Sequence, residues 1–320
     1  MSVLPPSSDG ESARPLNRFV SGGIVLLGAV LFSAKSIMIK LALPYGIDAV
    51  SLLLLRMLFA LPIYVAIVFW IRRTNNEGEQ TQTSNHGPHI FKVIGLGIVG
   101  YYLASYFDFA GLEHIPASLE RVILYLYPTI VLLISTFYLN KKISIHQWIA
   151  IGLCYAGVWI AIRYGVHSGV GKGNYWLGVL LVFLSATTYA IYFVGSGELI
   201  PKLGVWIFTC YAMIISTICI CVHFLLTIEI GTLFTYPIQV YLLALTMAVF
   251  ATVIPSLLIS EGIKRIGASN AAIIGGIGPI STIILAGIFL GETFTTAQLI
   301  ATGVVICGVV YISVNMKKPN

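Results

Sequence analysis

Charged residues are scarce in this chain: they fill 9% of its 320 positions, against roughly 25% in an ordinary soluble domain, whose surface needs them to face water. Eighteen basic and twelve acidic side chains are too few to coat a soluble body of this length. Cysteine is scarce as well. All five (Cys154, Cys210, Cys219, Cys221 and Cys307) fall inside apolar stretches, so a disulfide framework has no support. Long polar segments are also missing. The longest, about Ile71–Ile90, is too poor in apolar side chains to fold by itself. That leaves no room for a soluble catalytic or nucleotide-hydrolysing domain.

What is abundant is apolar. Hydrophobic residues make up 58% of the chain, and the mean hydropathy is +0.94. The solvent around most of the chain is therefore lipid. Ten apolar runs of membrane-crossing length follow one another: Phe19–Leu41, Ala49–Trp70, Phe91–Leu112, Ala117–Leu139, Ile145–Ile162, Trp176–Gly195, Val205–Leu226, Pro237–Ser260, Asn270–Leu290 and Ala297–Val314. Each is close to the ~20 residues that an α-helix needs to cross a bilayer with all its backbone bonds internal. The alternating ten-residue strands of a membrane barrel do not appear. Residues 1–18 read as a polar tail, and the run after them is too long for a signal-peptide core, so it is expected to stay as the first span.

The net charge of +6 is explained by placement. With the N-terminus inside, twelve of the eighteen basic residues fall in inner segments and only Arg163 and Lys172 in outer loops. Such asymmetry orients a multi-pass protein. It predicts an inner (plasma) membrane protein with both termini cytoplasmic, whose partner is the bilayer and not nucleic acid.

The chain is a duplication. Shifted by 151 positions, residues 111–162 align without a gap on 262–313, with thirteen identities. The most telling are Gly111/Gly262, Ser118/Ser269, Pro128/Pro279, Gln147/Gln298, Gly152/Gly303 and Gly157/Gly308. A shift of 152 adds Ser33-Ala34 against Ser185-Ala186. A unit of five spans is odd, so the second copy enters the membrane from the opposite side. The expected architecture is an all-α membrane protein of ten helices in two inverted repeats, 19–162 and 176–314, joined by a linker at 163–175 and followed by a short tail at 315–320. Inverted repeats recur in secondary transporters because two opposed halves supply similar inward-open and outward-open shapes.

In these features the chain resembles the ten-helix drug/metabolite transporter superfamily, in its bacterial EamA-type branch. The second copy carries the pattern as Ala268-Ser269, Pro279, Leu290-Gly291-Glu292, Gly303 and Gly308. The first has Ala117-Ser118, Pro128, Gly152 and Gly157, but Leu139-Asn140-Lys141 stands where the family usually has Leu-Gly-Glu. The resemblance implies a transporter of small metabolites, typically an exporter, and leaves the substrate open among amino acids, nucleosides and drugs.

Ionisable groups inside a bilayer are costly, so each needs a partner, water or a task. Six stand within spans or at their ends: Lys35, Lys40, Arg56, Asp108, Glu120 and Arg121. The direction of each span puts all of them in the outer half, and all belong to the first copy. Their excess of positive charge suggests a cationic vestibule for a carboxylate, with Lys35, Arg56 and Arg121 as binding candidates, the arginines as bidentate donors. The plainer account has Lys40 snorkelling to the interface and ion pairs of Asp108 with Lys35 and of Glu120 with Arg56. Asp108 and Glu120 are the candidates for proton coupling.

Pro128 and Pro279 sit near mid-span at equivalent points, where each frees a carbonyl and lets a helix bend. Before them the copies differ, with Tyr125-Leu126-Tyr127 in one and Gly275-Gly276-Ile277-Gly278 in the other. A natural arrangement sets rings against glycines. Tyr101, Tyr125 and Tyr127 are therefore pocket candidates, and the prolines with Gly275, Gly276 and Gly278 are bend or gating candidates.

Enzyme signatures are missing. Gly171-Lys172 fails the phosphate-loop pattern, no nucleophile elbow occurs, and the six histidines lack metal-ligand spacing. No cofactor or metal is expected, and a homodimer is compatible with the reading. The expected function is secondary transport of a small-molecule substrate by alternating access. A non-transporting sensor or assembly subunit, or an enzyme acting on lipid head groups, remains as an alternative.

Overall fold

The computed structural model describes residues 15–75, 87–139, 144–165, 174–275 and 277–315. The described residues contain no strand. Eight helical stretches are long and apolar enough to cross a membrane, and two shorter apolar helices, Gly278–Leu290 and Thr296–Tyr311, complete ten. Large apolar side chains such as Phe69, Trp70, Phe91, Leu226 and Ile288 stand exposed on the outside of the bundle. That exposure suits a surface facing hydrocarbon.

In chain order the helices are α1 (Pro15–Ala42), α2 (Ala49–Asn75), α3 (Gly87–Leu96), α4 (Ala104–Leu112), α5 (Ala117–Leu124), α6 (Tyr127–Leu139) and α7 (Ile145–Gly165) in the first half. The second half has α8 (Tyr175–Leu203), α9 (Val205–Thr227), α10 (Ile238–Ala248), α11 (Ile254–Gly275), α12 (Ile277–Leu290) and α13 (Thr296–Asn315). Some boundaries differ from expectation. The first helix is described from Pro15 onward. The eighth span runs on to Ile266, and the ninth is an apolar helix over Gly278–Leu290, within α12. Gly276, one of the expected bend residues, lies outside the described residues, as do 1–14, 76–86, 140–143, 166–173 and 316–320.

The duplication in sequence is a duplication in structure. The third span is interrupted by a π-helical segment, Gly97–Leu103, which joins α3 to α4. The eighth has one at Val249–Val253, joining α10 to α11, and a shift of 151 lays it on 98–102. Such bulges need a local misfit of the i→i−4 ladder and often sit at functional sites. The matched glutamines have a reason too. Gln147 Oε1 accepts the Ser144 N–H at 2.8 Å while Ser144 Oγ accepts the Gln147 N–H at 3.3 Å. Thr295 and Gln298 repeat the same reciprocal cap at the start of α13, at 2.9 and 3.2 Å.

Matched glycines mark close helix crossings. A Cβ on Gly111 would stand 2.5 Å from Val182 Cγ2 of α8, and one on Gly262 would overlap Val25 of α1. Gly157 and Gly308 do the same between α7 and α13, where a Cβ would meet Val305 Cγ2 at 2.7 Å and Cys154 Sγ at 2.6 Å respectively. Small residues let backbones approach, which is how helices gain dispersion contact when lipid competes for every apolar surface.

Candidate functional site

The fourth span is two helices. α5 ends at Leu124, Tyr125 and Leu126 form a turn, and α6 starts at Tyr127 with Pro128 as its second residue. The missing Pro128 N–H costs nothing there, because the first turn of a helix has no intrahelical partners for its donors. The short α5 lies buried along its whole length. It carries Glu120 and Arg121 into the interior.

Lys35, Arg56, Asp108, Glu120 and Arg121 are each less than a tenth exposed. Four of them converge. Lys35 Nζ on α1 stands 2.6 Å from Asp108 Oδ2 on α4. Arg121 Nε lies 3.7 Å from Glu120 Oε2. Ser36, beside Lys35 on α1, ties the two pairs together: its hydroxyl donates to Glu120 Oε2 at 2.8 Å and accepts from Arg121 Nη2 at 2.7 Å. Lys35 also lies over the Phe32 ring, 4.9 Å from its centroid.

Arg56 stands apart. The expected pair with Glu120 does not form, because Glu120 is taken by Arg121 and Ser36 on neighbouring turns of α5 and α1. Arg56 instead points across to the second repeat, with Nη1 3.5 Å from Thr252 Oγ1. Its guanidinium carbon sits 4.8 Å from the centroid of Phe109, and its Nε has no hydrogen-bond partner among the described residues. Thr252 belongs to the π segment of the eighth span, and its hydroxyl donates to the Met247 carbonyl five residues back, at 3.0 Å. The two carboxylates thus neutralise Lys35 and Arg121. The cationic surplus of the cluster is Arg56 and Lys40, neither of which has a carboxylate within ion-pair distance among the described residues.

The charged layer separates two cavities. One, of about 580 Å³, opens at the end expected to face outward, with Lys40, Pro44 and Ser118 from the first repeat and Glu292 and Gln298 from the second on its wall. This size is within the ~300–1,000 Å³ of small-molecule clefts. The other, of about 60 Å³, is central. Ser33, Arg121, Tyr125 and Tyr127 form its first-repeat side, and Tyr189, Gly275, Gly278 and Pro279 its second-repeat side. Along α1 the order is Ser33, then Lys35 and Ser36, then Lys40; along α5 it is Ser118, then Glu120 and Arg121, then Tyr125. Both helices therefore run from the outer cavity through the charged layer into the central one.

Rings do meet glycines in the central cavity. A Cβ on Gly275 would stand 3.5 Å from the Tyr127 hydroxyl, and Ser33 Oγ is 3.1 Å from the Gly278 carbonyl, to which it donates. Tyr127 packs edge-on against Tyr125 and Tyr189, with centroids 6.0 and 5.2 Å away. Tyr101 does not line the cavity; it accepts a 3.1 Å hydrogen bond from Tyr192 and joins the aromatic cluster behind Tyr189. Sequence reasoning passed over Ser36, Thr252 and Glu292 as site residues. The serine and threonine carry no spacing signal, but Glu292 was visible in the Leu-Gly-Glu turn that only the second copy keeps.

Two inverted copies, ten apolar helices and a cavity at their interface have a counterpart among known proteins. The model of the EamA-like transporter family matches residues 21–163 and 176–314. The chain belongs to this family. As an EamA-family member it is a multi-pass membrane transporter. It is 32% identical over 297 residues to the uncharacterized transporter YcbK of Bacillus subtilis, covering 92% of this chain and 93% of that protein. It is 26% identical to the uncharacterized transporter sll1319 of Synechocystis, covering 86% and 88% of the two. A solved crystal structure superposes with a TM-score of 0.64 at 14% identity, over 91% of this chain and 95% of the other, a likeness of fold alone.

Proposed function

We propose that this EamA-family transporter moves small metabolites bearing a carboxylate, such as amino acids, across the plasma membrane by alternating access, in the direction of export. The observation that carries the reading is the pair of cavities, each walled by both repeats and kept apart by a buried charged layer. An alternating-access cycle needs a path that is closed at one level while open at another, and the interface of inverted repeats is where such a path forms. The buried cations Arg56 and Arg121 favour an anionic group, since a guanidinium offers a planar fork matched to a carboxylate. Export follows the family resemblance, and cytoplasmic termini follow the distribution of basic residues.

Purified protein in liposomes, given a labelled amino-acid and nucleoside panel with and without a proton gradient, tests this directly. Flux of at least one carboxylate-bearing compound is expected, and Arg56→Ala and Arg121→Ala should cripple it while both variants insert normally. No flux of any compound under either condition would sink the proposal. Parental flux in both variants would remove the arginines from it.

A further inference from the structure

We infer that the outer cavity binds a zwitterion, an α-amino acid with an apolar side chain, whose carboxylate meets Lys40 and whose ammonium meets Glu292. These two are the charged residues on the cavity wall among the described residues, and they come from opposite repeats. Lys40 lies in the last turn of α1, and Glu292 in the turn after α12. They are opposite in sign and face one open space, yet no ion pair forms between them. Two opposite charges kept apart across a cavity leave a gap that a ligand carrying both charges can close.

Both groups have bonding capacity to spare. Glu292 Oε1 accepts the Ala117 N–H, and Oε2 accepts the Ser118 N–H and hydroxyl. A carboxylate offers about four lone-pair sites, so one is left for a ligand ammonium. These three bonds also fix the carboxylate in place, which keeps it from swinging across to Lys40. The lysine ammonium carries only donors and has no carboxylate within ion-pair distance among the described residues, so a ligand carboxylate suits it. Leu41, Pro44, Pro116 and Leu290 give the same wall its apolar part, and about 580 Å³ leaves room for a side chain as large as an aromatic ring. Neither Arg56 nor Arg121 lines this cavity. The site is therefore separate from the arginines, and it rests on the transport reading proposed above only for its role, as the station at the outer end of the route. A ligand held there bridges the two repeats.

Calorimetric titration of the purified full-length protein tests the site with three probes: phenylalanine, phenylpropionate, which lacks the ammonium, and phenylethylamine, which lacks the carboxylate. Phenylalanine is expected to bind about tenfold or more tightly than either of the others, since each loses one charge contact. Lys40→Met should weaken phenylalanine by about tenfold or more and leave phenylethylamine within about twofold of the parent. Glu292→Gln should weaken phenylalanine by a similar factor and spare phenylpropionate instead. No binding of phenylalanine overturns the inference. So does phenylpropionate binding as tightly as phenylalanine, or parental phenylalanine affinity in Lys40→Met. If Glu292→Gln fails to fold, because it also disturbs the cap on α5, the three probes on the parent and on Lys40→Met decide. Binding needs no flux. Phenylalanine that binds in this pattern while liposomes carry no compound keeps the site and loses the transport reading; flux of carboxylates without phenylalanine binding loses the site and keeps that reading.

Discussion

Glu292, in the turn that ends the second repeat's α12, caps the helix of the first repeat that carries the charged layer: its carboxylate accepts the Ser118 hydroxyl at 2.6 Å and the Ser118 and Ala117 N–H groups at 3.3 and 3.0 Å. The position equivalent to Glu292 in the first copy is Lys141, and the partner of Ser118 is Ser269. A cation has the wrong sign for a helix N-terminus. The turn glutamate of the second copy thus pins α5 across the repeat interface.

Removing that cap should be measurable. Glu292→Ala is expected to lower stability by about 1 kcal/mol, the usual cost of a lost N-terminal cap. Glu292→Lys should cost more, since it adds repulsion from the helix dipole. Thermal unfolding in detergent reads both, and parental melting of Glu292→Lys would mean the cap is energetically idle.

The two buried arginines should separate by stability. Arg121→Met strips Glu120 of its counter-ion and is expected to cost roughly 3–5 kcal/mol, the range for breaking a buried pair from one side. Arg56→Met orphans no carboxylate among the described residues and should melt close to the parent. Equal losses in the two variants would contradict the division of partners described for this site.

Lys35 and Asp108 offer a sharper form of the same argument. Lys35→Met should destabilise strongly because Asp108 is left buried without its ammonium. Adding Asp108→Leu should recover most of that loss, as apolar pairs of similar volume often replace buried ion pairs at little cost. A double-mutant cycle on melting gives the coupling, and additive losses would show that the 2.6 Å contact contributes nothing.

Glycines matched between the repeats should divide into packed and lipid-facing ones. Gly308→Leu forces a Cβ to within 2.6 Å of Cys154 Sγ and 3.1 Å of the Ala150 carbonyl, and overpacking of this kind costs about 1–3 kcal/mol. Gly303 has nothing within 4 Å of its Cβ position. Gly303→Ala should therefore be neutral or gain up to about 1 kcal/mol of helix propensity. The pair of melting temperatures checks both directions, and similar shifts for the two would dissolve the distinction.

Much of this was legible in one dimension. Apolar runs of crossing length must become helices in lipid, because no water is there to satisfy a bare backbone. Repeat matches survive wherever a physical demand is local: Gln147 and Gln298 need only a residue three positions earlier to complete a cap, and Gly111 and Gly262 need only to be small. The prolines and the aromatic and glycine triplets before them could be placed at one depth because helical rise is constant. For that reason Tyr125, Tyr127, Gly275, Gly278 and Pro279 could be set against one another before any contact was known, and one cavity gathers them, with Arg121, which had been nominated for the vestibule, on its wall as well.

Partnership was a different matter. Composition and spacing determined that the chain lives in lipid, that it is an inverted duplication, and that its few charges within spans belong to one repeat. They could not assign Glu120 to Arg121 and not Arg56, since α2, α4 and α5 could approach α1 in more than one rotation and a turn of helix moves a guanidinium by several ångströms. Only the tertiary structure decided that Ser36 would join the two ion pairs, that Arg56 would be left facing Thr252, and that the charged layer would lie between an outer and a central cavity. Lipid acts on each helix by itself, so its effect is written along the chain. The pairing of charges depends on the distances between helices, which arise only when they pack.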